Sequence, residues 1–313
     1  MSPTWSAHVY VLRCFPHLRL LAPTGVFLVA QTTILLGDAL AGLQQINAGA
    51  VQSCVTSPPY YALRDYDCDG QIGLEETPEL YVDRLVEGFR EVRRVLHNTG
   101  TAFINISDTY AGRGTKLSDS LKRKDLIGIP WMLAFALRAD GWYLRSEIIW
   151  AKPNPMPESV GDRPTRSHET VFLLTKRPIY YYDAEAIMEP CVKGADGSLF
   201  TQGKTGVNQG EKVSKAERAN GSMRNSRDVW TITPTPFAGA HFATMPTTLA
   251  ERCIRAGSRP GDLVLDPFLG SATTALAANR LNREAVGCEL NADYADISVA
   301  RLNREGYQAD IFD

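Results

Sequence analysis

Two short stretches of this chain place hydroxyl, carbonyl, aromatic and small residues where chemistry could be done. The first is Thr56-Ser57-Pro58-Pro59-Tyr60-Tyr61, directly after the apolar run 52–55. Paired prolines can neither continue a strand nor enter a helix, so the chain must break into a rigid turn. That turn offers the Ser57 hydroxyl, the Pro58 carbonyl and the face of Tyr60. Hydroxyl and carbonyl can both accept hydrogen bonds from an amine, and the ring can stack on a planar group. An ordinary Pro-Pro turn closed by a packed tyrosine would use the same residues.

The second stretch is Val264-Leu265-Asp266-Pro267-Phe268-Leu269-Gly270-Ser271-Ala272-Thr273-Thr274, followed by a helical run over 275–281. Strand, small-residue turn and helix in this order make a cradle in which a ligand can approach the backbone. Glu289 ends the next strand candidate, where an acid is placed to accept both hydroxyls of a ribose. The chain lacks GxGxxG here, so the cradle suits a nucleoside rather than a dinucleotide. A plain strand–turn–helix junction is the other reading.

Two patterns compete for attention. Asp65-Tyr66-Asp67-Cys68-Asp69-Gly70-Gln71-Ile72-Gly73-Leu74-Glu75-Glu76 meets every position of a calcium-binding loop. A calcium-binding protein using Asp65–Glu76 is therefore the reading from another class. It needs a helix on each side, however, and Pro58-Pro59 and Pro78 interrupt both flanks. Gly203-Lys204-Thr205 has the end of a phosphate loop, but Ser198 stands where its first glycine should be.

The elements that must carry these residues alternate between β-rich runs and helical patterns. Strands are expected at 33–36, 51–56, 101–106, 144–150, 170–174, 263–265 and 284–288. Over 79–96, Val82, Leu85, Val86, Phe89, Val92, Val95 and Leu96 recur at helical spacing, with Arg84, Glu87, Arg90, Glu91 and Arg94 on the other side. The expected fold is α/β, a mostly parallel sheet of seven strands with helices on both faces. Trp131, Trp142 and Trp150 read as packing residues.

Composition sets the bounds. The chain has 313 residues, 44% hydrophobic and 22% charged, which excludes a disordered, collagen-like or disulfide-stapled protein. The net charge of −2 spreads no positive field over the whole molecule, so any nucleic-acid contact needs a local basic patch. Residues 193–228 supply one, with seven Lys/Arg against four Asp/Glu and six glycines between Gly194 and Gly221. So long and polar a segment is either a surface loop or a binding element. The six scattered cysteines form no CxxC pair and no Cys/His cluster, which reads as a reduced, cytoplasmic protein without a metal site. Residues 20–37 carry no charge over 18 positions, enough for a membrane span. Pro23, Gly25, Gln31 and several threonines argue against a span, and Arg13, His17 and Arg19 against a signal peptide. Residues 1–30 are read as an extension, with no membrane contact.

Together these motifs resemble the S-adenosylmethionine-dependent DNA amino-methyltransferases in the β-class order, where the catalytic half precedes the cofactor half. Ser-Pro-Pro-Tyr upstream and Asp-Pro-Phe-x-Gly-Ser-x-Thr downstream carry the likeness, which covers roughly residues 33–305. Gly37-Asp38 resembles the family's adenine-contacting acid. His241-Phe242-Ala243-Thr244-Met245-Pro246 resembles the block that holds the cofactor's methionine end. Lys152-Pro153-Asn154 and Arg163-Pro164-Thr165-Arg166-Ser167-His168-Glu169 resemble late signatures of the catalytic half. One departure is Ala272, where the family usually has glycine; a methyl is accommodated there if the local φ is negative.

The resemblance implies a Rossmann-like methyltransferase fold divided into a catalytic half (31–189), a target-recognition insertion (190–240) and a cofactor half (241–313). It implies S-adenosylmethionine bound by Asp38, Thr56, Phe242, Thr244, Pro246, Asp266, Pro267, Phe268, Gly270, Ser271, Ala272, Thr273 and Glu289. Ser57, Pro58, Pro59 and Tyr60 become the catalytic turn, with Ser57 Oγ and the Pro58 carbonyl accepting from an exocyclic amine and Tyr60 stacking on a flipped base. A hydroxyl is no strong base, so the proton is expected to leave to solvent. Serine in this motif goes mostly with cytosine N4, and aspartate or asparagine mostly with adenine N6. The expected reaction is N4-cytosine methylation, with adenine N6 as the alternative. Double-stranded DNA is the expected partner, contacted by Tyr61, Arg163, Arg166 and His168 and, in the basic segment, by Lys204, Lys212, Lys215, Arg218, Arg224 and Arg227. A cognate restriction endonuclease and a second copy of the chain are further partners for an enzyme of this kind. Its place would be the nucleoid of the cytoplasm.

Overall fold

The computed structural model describes residues 31–112, 117, 121–190, 223–234 and 245–312. The 1–30 extension and most of the basic segment lie outside them.

Each expected strand forms. In chain order they are β1 (Gln31–Leu36), β2 (Val51–Thr56), β3 (Leu96–Ile106), β4 (Tyr143–Ala151), β5 (His168–Thr175), β9 (Leu263–Asp266) and β10 (Glu284–Glu289). Two short strands, β8 (Val229–Thr231) and β11 (Gln308–Phe312), extend the sheet to nine, in the order β11-β1-β10-β9-β2-β3-β5-β4-β8. A separate two-residue pair, β6 (Glu189–Pro190) with β7 (Met223–Arg224), brackets the basic segment. The uncharged stretch near the N-terminus thus contributes the strand β1. No helix among the described residues is long and apolar enough to cross a membrane.

The helices are α1 (Ala39–Gln44), α2 (Pro78–Val95), α3 (Ile129–Ala139), α4 (Thr247–Gly257), α5 (Thr273–Arg280) and α6 (Ala292–Arg304). Alternation along the strands sorts them into two layers. Cys54, Ile104 and Leu265 face a core shared with Leu43 of α1, Leu85 and Phe89 of α2, and Leu133 of α3. Val55, Phe103 and Val264 face the opposite core, with Leu249 and Ile254 of α4, Leu276 of α5 and Leu302 of α6. Helix α2 starts one residue before the expected Glu79, because Pro78 suits the first helical position and the Thr77 hydroxyl accepts from Leu80 N at 3.3 Å. Burying Leu85 or Phe89 contributes roughly 1.5–3 kcal/mol each. Helix α4 lies close to the sheet at Gly257, where a Cβ would stand 2.7 Å from Ser53 Oγ.

Topology then creates the site. From β2 the chain passes through α2 to β3 on one side, and from β9 through α5 to β10 on the other. Strands β2 and β9 pair in parallel, with Cys54 opposite Leu265, so the crevice beyond their ends is a topological switch point. Strand β5 alone runs against its neighbours in the sheet, pairing antiparallel with both β3 and β4. Its first residues therefore reach the same edge as the last residues of β2, β3 and β4.

Candidate active site

A cleft of about 200 Å³ opens at this edge, and four strand ends contribute to its lining. They are Gly37–Ala39 after β1, Ser57–Tyr60 after β2, Asp266–Ser271 with Thr273 and Thr274 around the turn after β9, and Cys288–Asn291 at the end of β10. The two stretches singled out by residue type thus meet across the switch point. The join is direct: Thr56 Oγ1 donates to Asp266 Oδ1 at 2.6 Å, and Phe268 N donates to the same oxygen at 3.1 Å. Burial pushes the Asp266 carboxyl from its usual 3.8 up to about 7, against the opposing effect of the Thr56 hydroxyl.

On the β10 side, Glu289 Oε2 accepts from Gly270 N at 2.8 Å and Oε1 from Asn291 N at 2.9 Å. Burial raises its pKa while the N–H groups of Asn291, Gly270 and Leu290 oppose the rise. A carboxylate offers about four acceptor sites, so acceptor capacity remains for a ribose hydroxyl. Helix α6 supports the cradle from behind. Ser298 Oγ donates to Gly270 O at 2.6 Å, and Arg301 Nη1 donates to Ser271 O at 2.6 Å and Thr273 Oγ1 at 3.0 Å. Gly270 has φ +53°, and a Cβ there would meet no heavy atom nearer than Phe268 O at 4.0 Å, so a ligand can approach its backbone. Pro267, Phe268, Ser271 and Thr273 line the cleft as expected of a nucleoside site. Asp38 lines it too, while its Oδ1 caps α1 by accepting from Leu40 N at 2.9 Å and Ala41 N at 3.2 Å.

Several expected residues stand elsewhere. Thr56 is buried and reaches Asp266, not the cleft, so it positions rather than contacts. Ala272 is also buried, and its φ is +58°, not negative. It holds a left-handed conformation at the start of α5 that a methyl group makes costly. Pro246 is buried at the start of α4, next to Met245 in the cleft wall. Tyr61 is 3% exposed and packs on Tyr81 at 5.5 Å between ring centres, which withdraws it from any DNA surface. Phe242, Thr244, Lys204, Lys212, Lys215 and Arg218 lie outside the described residues.

Around the Ser57–Tyr60 turn a polar network appears that residue types alone did not reveal. Ser57 Oγ donates to Tyr60 Oη at 3.2 Å, and Tyr60 Oη donates to Glu169 Oε2 at 2.6 Å. Asn105 Nδ2, near the end of β3, donates to both Tyr60 Oη (3.0 Å) and Glu169 Oε2 (2.8 Å). Lys152 Nζ, just past β4, binds Glu169 Oε1. Burial, then the Glu169 charge, pushes the Tyr60 hydroxyl well above its usual range.

The calcium pattern does not assemble. Asp65 Oδ1 accepts from Asp67 N at 2.9 Å, Glu75 Oε2 accepts from Gly73 N, and Glu75 Oε1 meets Arg84 at 3.3 Å. No group of three His, Cys, Asp or Glu among the described residues could hold a metal ion. This loop forms a wall of the cleft instead, with Tyr66 edge-on to Tyr294 of α6 at 6.4 Å.

The N6/N4 DNA methylase family matches residues 51–300, which span both halves of the cleft. The chain belongs to that family. This methylase is 47% identical over 291 residues to the type II methyltransferase M.Cfr9I of Citrobacter freundii, covering 87% of this chain and 88% of that one. It is 45% identical over 289 residues to M.SmaI of Serratia marcescens, covering 87% and 90%. Among solved structures, TTHA0409 from Thermus thermophilus, complexed with S-adenosyl-L-methionine, superposes with a TM-score of 0.60 at 26% identity, over 90% of the methylase and all of that chain (100%).

Three of the methylase's outer arginines, Arg163, Arg224 and Arg227, are paired within the protein. Arg163 bonds Glu158 at 2.6 Å and lies 3.8 Å over the Tyr110 ring, whereas Arg166 gives Glu158 only its backbone N–H, at 3.3 Å, and its Nε is buried without a hydrogen-bond partner among the described residues. Arg224 and Arg227 both meet Glu189 Oε1, at 3.0 and 2.7 Å, and Arg252 approaches Oε2 at 3.6 Å. Three guanidiniums on one carboxylate leave a net positive patch beside β8. His168 is exposed at the start of β5.

Proposed function

We propose that this DNA methylase transfers a methyl group from S-adenosylmethionine to the N4 amine of a cytosine flipped out of double-stranded DNA. The observation that carries the reading is the junction of the Ser57-Pro58-Pro59-Tyr60 turn with the Asp266–Glu289 cradle across one cleft. Glu289 would hold the cofactor's ribose and Asp38 its adenine, with Pro267, Phe268, Gly270, Ser271 and Thr273 along its length. Bound there, the cofactor supplies a methyl on a positively charged sulfur, whose bonding electron pair stays with sulfur when the amine's lone pair takes the methyl.

The chain's own residues do the rest. An exocyclic amine is a poor nucleophile because its lone pair is delocalised into the ring. Ser57 Oγ and the Pro58 carbonyl accept its two N–H bonds and favour the pyramidal nitrogen that attack requires. Tyr60, its ring fixed through Glu169 and Asn105, is the platform on which the flipped base stacks. Serine at the head of the motif favours cytosine over adenine. Arg163, Arg166, His168, Arg224 and Arg227, with the basic residues of 190–240, would meet the phosphates and read the sequence. A cognate endonuclease fits the type II relatives, and cytoplasmic work on the nucleoid fits the substrate.

Nucleoside mass spectrometry tests this on DNA treated with purified protein and S-adenosylmethionine, beside Ser57→Ala. N4-methylcytosine that disappears in the variant supports the reading. N6-methyladenine overturns the base assignment, and no methylated base overturns the reaction.

A further inference from the structure

The hydrogen bonds at the catalytic turn run in one direction, from Ser57 to Tyr60 to Glu169. Since Ser57 commits its own proton to Tyr60, its oxygen is left to accept at the cleft. Stacking alone does not call for this arrangement, because a phenylalanine would present the same ring. Yet four other side chains, Ser57, Asn105, Lys152 and Glu169, from the ends of β2, β3, β4 and β5, converge on the Tyr60 hydroxyl and the carboxylate beyond it. Glu169 is 8% exposed and Asn105 2%, and a carboxylate paired with an ammonium is costly to take out of water. Lys152 stays in place by lying 4.5 Å from the Trp150 ring centre while it binds Glu169.

We propose that Ser57, Tyr60 and Glu169 form a relay that carries the surplus proton away from the methylated amine, with Lys152 and Asn105 positioning its end. The proposal rests on the methyl-transfer reading above and adds the fate of the proton, which residue types alone had assigned to solvent. Methylation leaves the amine nitrogen positively charged. One of its N–H bonds breaks, the electron pair stays on nitrogen, and the proton joins Ser57 Oγ. The Ser57 proton passes to Tyr60 Oη and the Tyr60 proton to Glu169 Oε2. Both hydroxyls end neutral, as they began, and the carboxylate ends as a carboxylic acid. Burial holds the Tyr60 hydroxyl against ionisation, so the protons move together and no phenolate stands alone. Glu169 returns its proton to water once the product leaves.

Tyr60→Phe keeps the ring and cuts the relay at its middle. The relay predicts unchanged S-adenosylmethionine affinity by calorimetry and a single-turnover rate about 100-fold lower, the low end for a positioned proton acceptor. Glu169→Gln should lose a similar factor, and the double variant little more, because the two act as one unit. In the cofactor-free protein, the proton NMR spectrum should show a downfield hydroxyl signal that vanishes in Tyr60→Phe. Overturning results are a wild-type rate in Tyr60→Phe, losses that multiply in the double variant, or no such signal in the wild type. Each leaves the reaction itself standing if the wild type still makes N4-methylcytosine. A wild type that makes none removes the reaction and the relay together.

Discussion

The two sides of the cleft are built by different means. The side proposed to hold the cofactor is local and backbone-rich: Glu289 is held by the N–H groups of Gly270 and Asn291, all within one strand–turn–helix–strand passage. The side proposed for catalysis is long-range and made of side chains, with Ser57, Tyr60, Asn105, Lys152 and Glu169 drawn from four strands. Backbone donors presented by a turn come with the fold, so the cofactor side is set once β9, α5 and β10 pack. Side chains converging from four strands depend on register, so the catalytic side is the more easily spoiled by one substitution. Binding and chemistry should therefore separate under mutation.

The largest effect expected from breaking that comparison is at Glu289. Removing two hydrogen bonds between ribose and a charged group should cost about 3–6 kcal/mol in cofactor binding. Calorimetry on Glu289→Ala is thus expected to show S-adenosylmethionine affinity lower by about 10²- to 10⁴-fold. Tyr60→Ala should do the opposite: cofactor affinity stays, base binding weakens by about 1–3 kcal/mol and methylation is lost. Near-normal turnover in Tyr60→Ala would remove the stacking role.

A pH experiment sharpens the comparison at the junction between the sides. The native Asp266 carboxyl keeps its proton up to about 7, whereas its usual value is 3.8. The unfolded chain therefore releases this proton first, and Asp266 makes the native state progressively less stable as pH rises from 3.8 towards 7. Above that window the loss is complete and constant. In urea unfolding, Asp266→Asn should flatten the decline by about one proton's worth of slope. An unchanged slope would contradict the buried, protonated carboxyl.

The smallest effect is expected at Ala272. Ala272→Gly relieves left-handed strain of about 1–2 kcal/mol. It also forfeits a buried methyl, about 0.8 kcal/mol, and adds unfolded-state entropy, about 0.4–1 kcal/mol. The net change in stability should stay within about 1 kcal/mol, and a thermal or urea comparison checks it.

What could be read from the chain follows the same division. The Asp266–Thr273 turn and Glu289 were legible because their spacing along the chain is their spacing around the cradle. Ser57 to Tyr60 were legible because paired prolines dictate a turn wherever they fall. Glu169, Asn105 and Lys152 were not assigned a role. Strand β5 runs antiparallel, setting Asn105 opposite Val171 and Trp150 opposite Glu169, and no sequence interval encodes that register. Tyr61 was misread because side chains on either side of a turn part ways, one to the cleft and the next onto Tyr81. The edge strands β8 and β11 escaped because three and five residues, partly exposed, carry little hydrophobic pattern. The sign of φ at Ala272 has no signature in an alanine.

The most direct test of the separation is a single titration series of S-adenosylmethionine into the wild type and Ser57→Ala, run beside nucleoside analysis of the methylated DNA. The account predicts equal cofactor affinity in the two proteins and N4-methylcytosine in the wild type alone. A Ser57→Ala protein that binds the cofactor poorly, or one that still methylates at the wild-type rate, would contradict it.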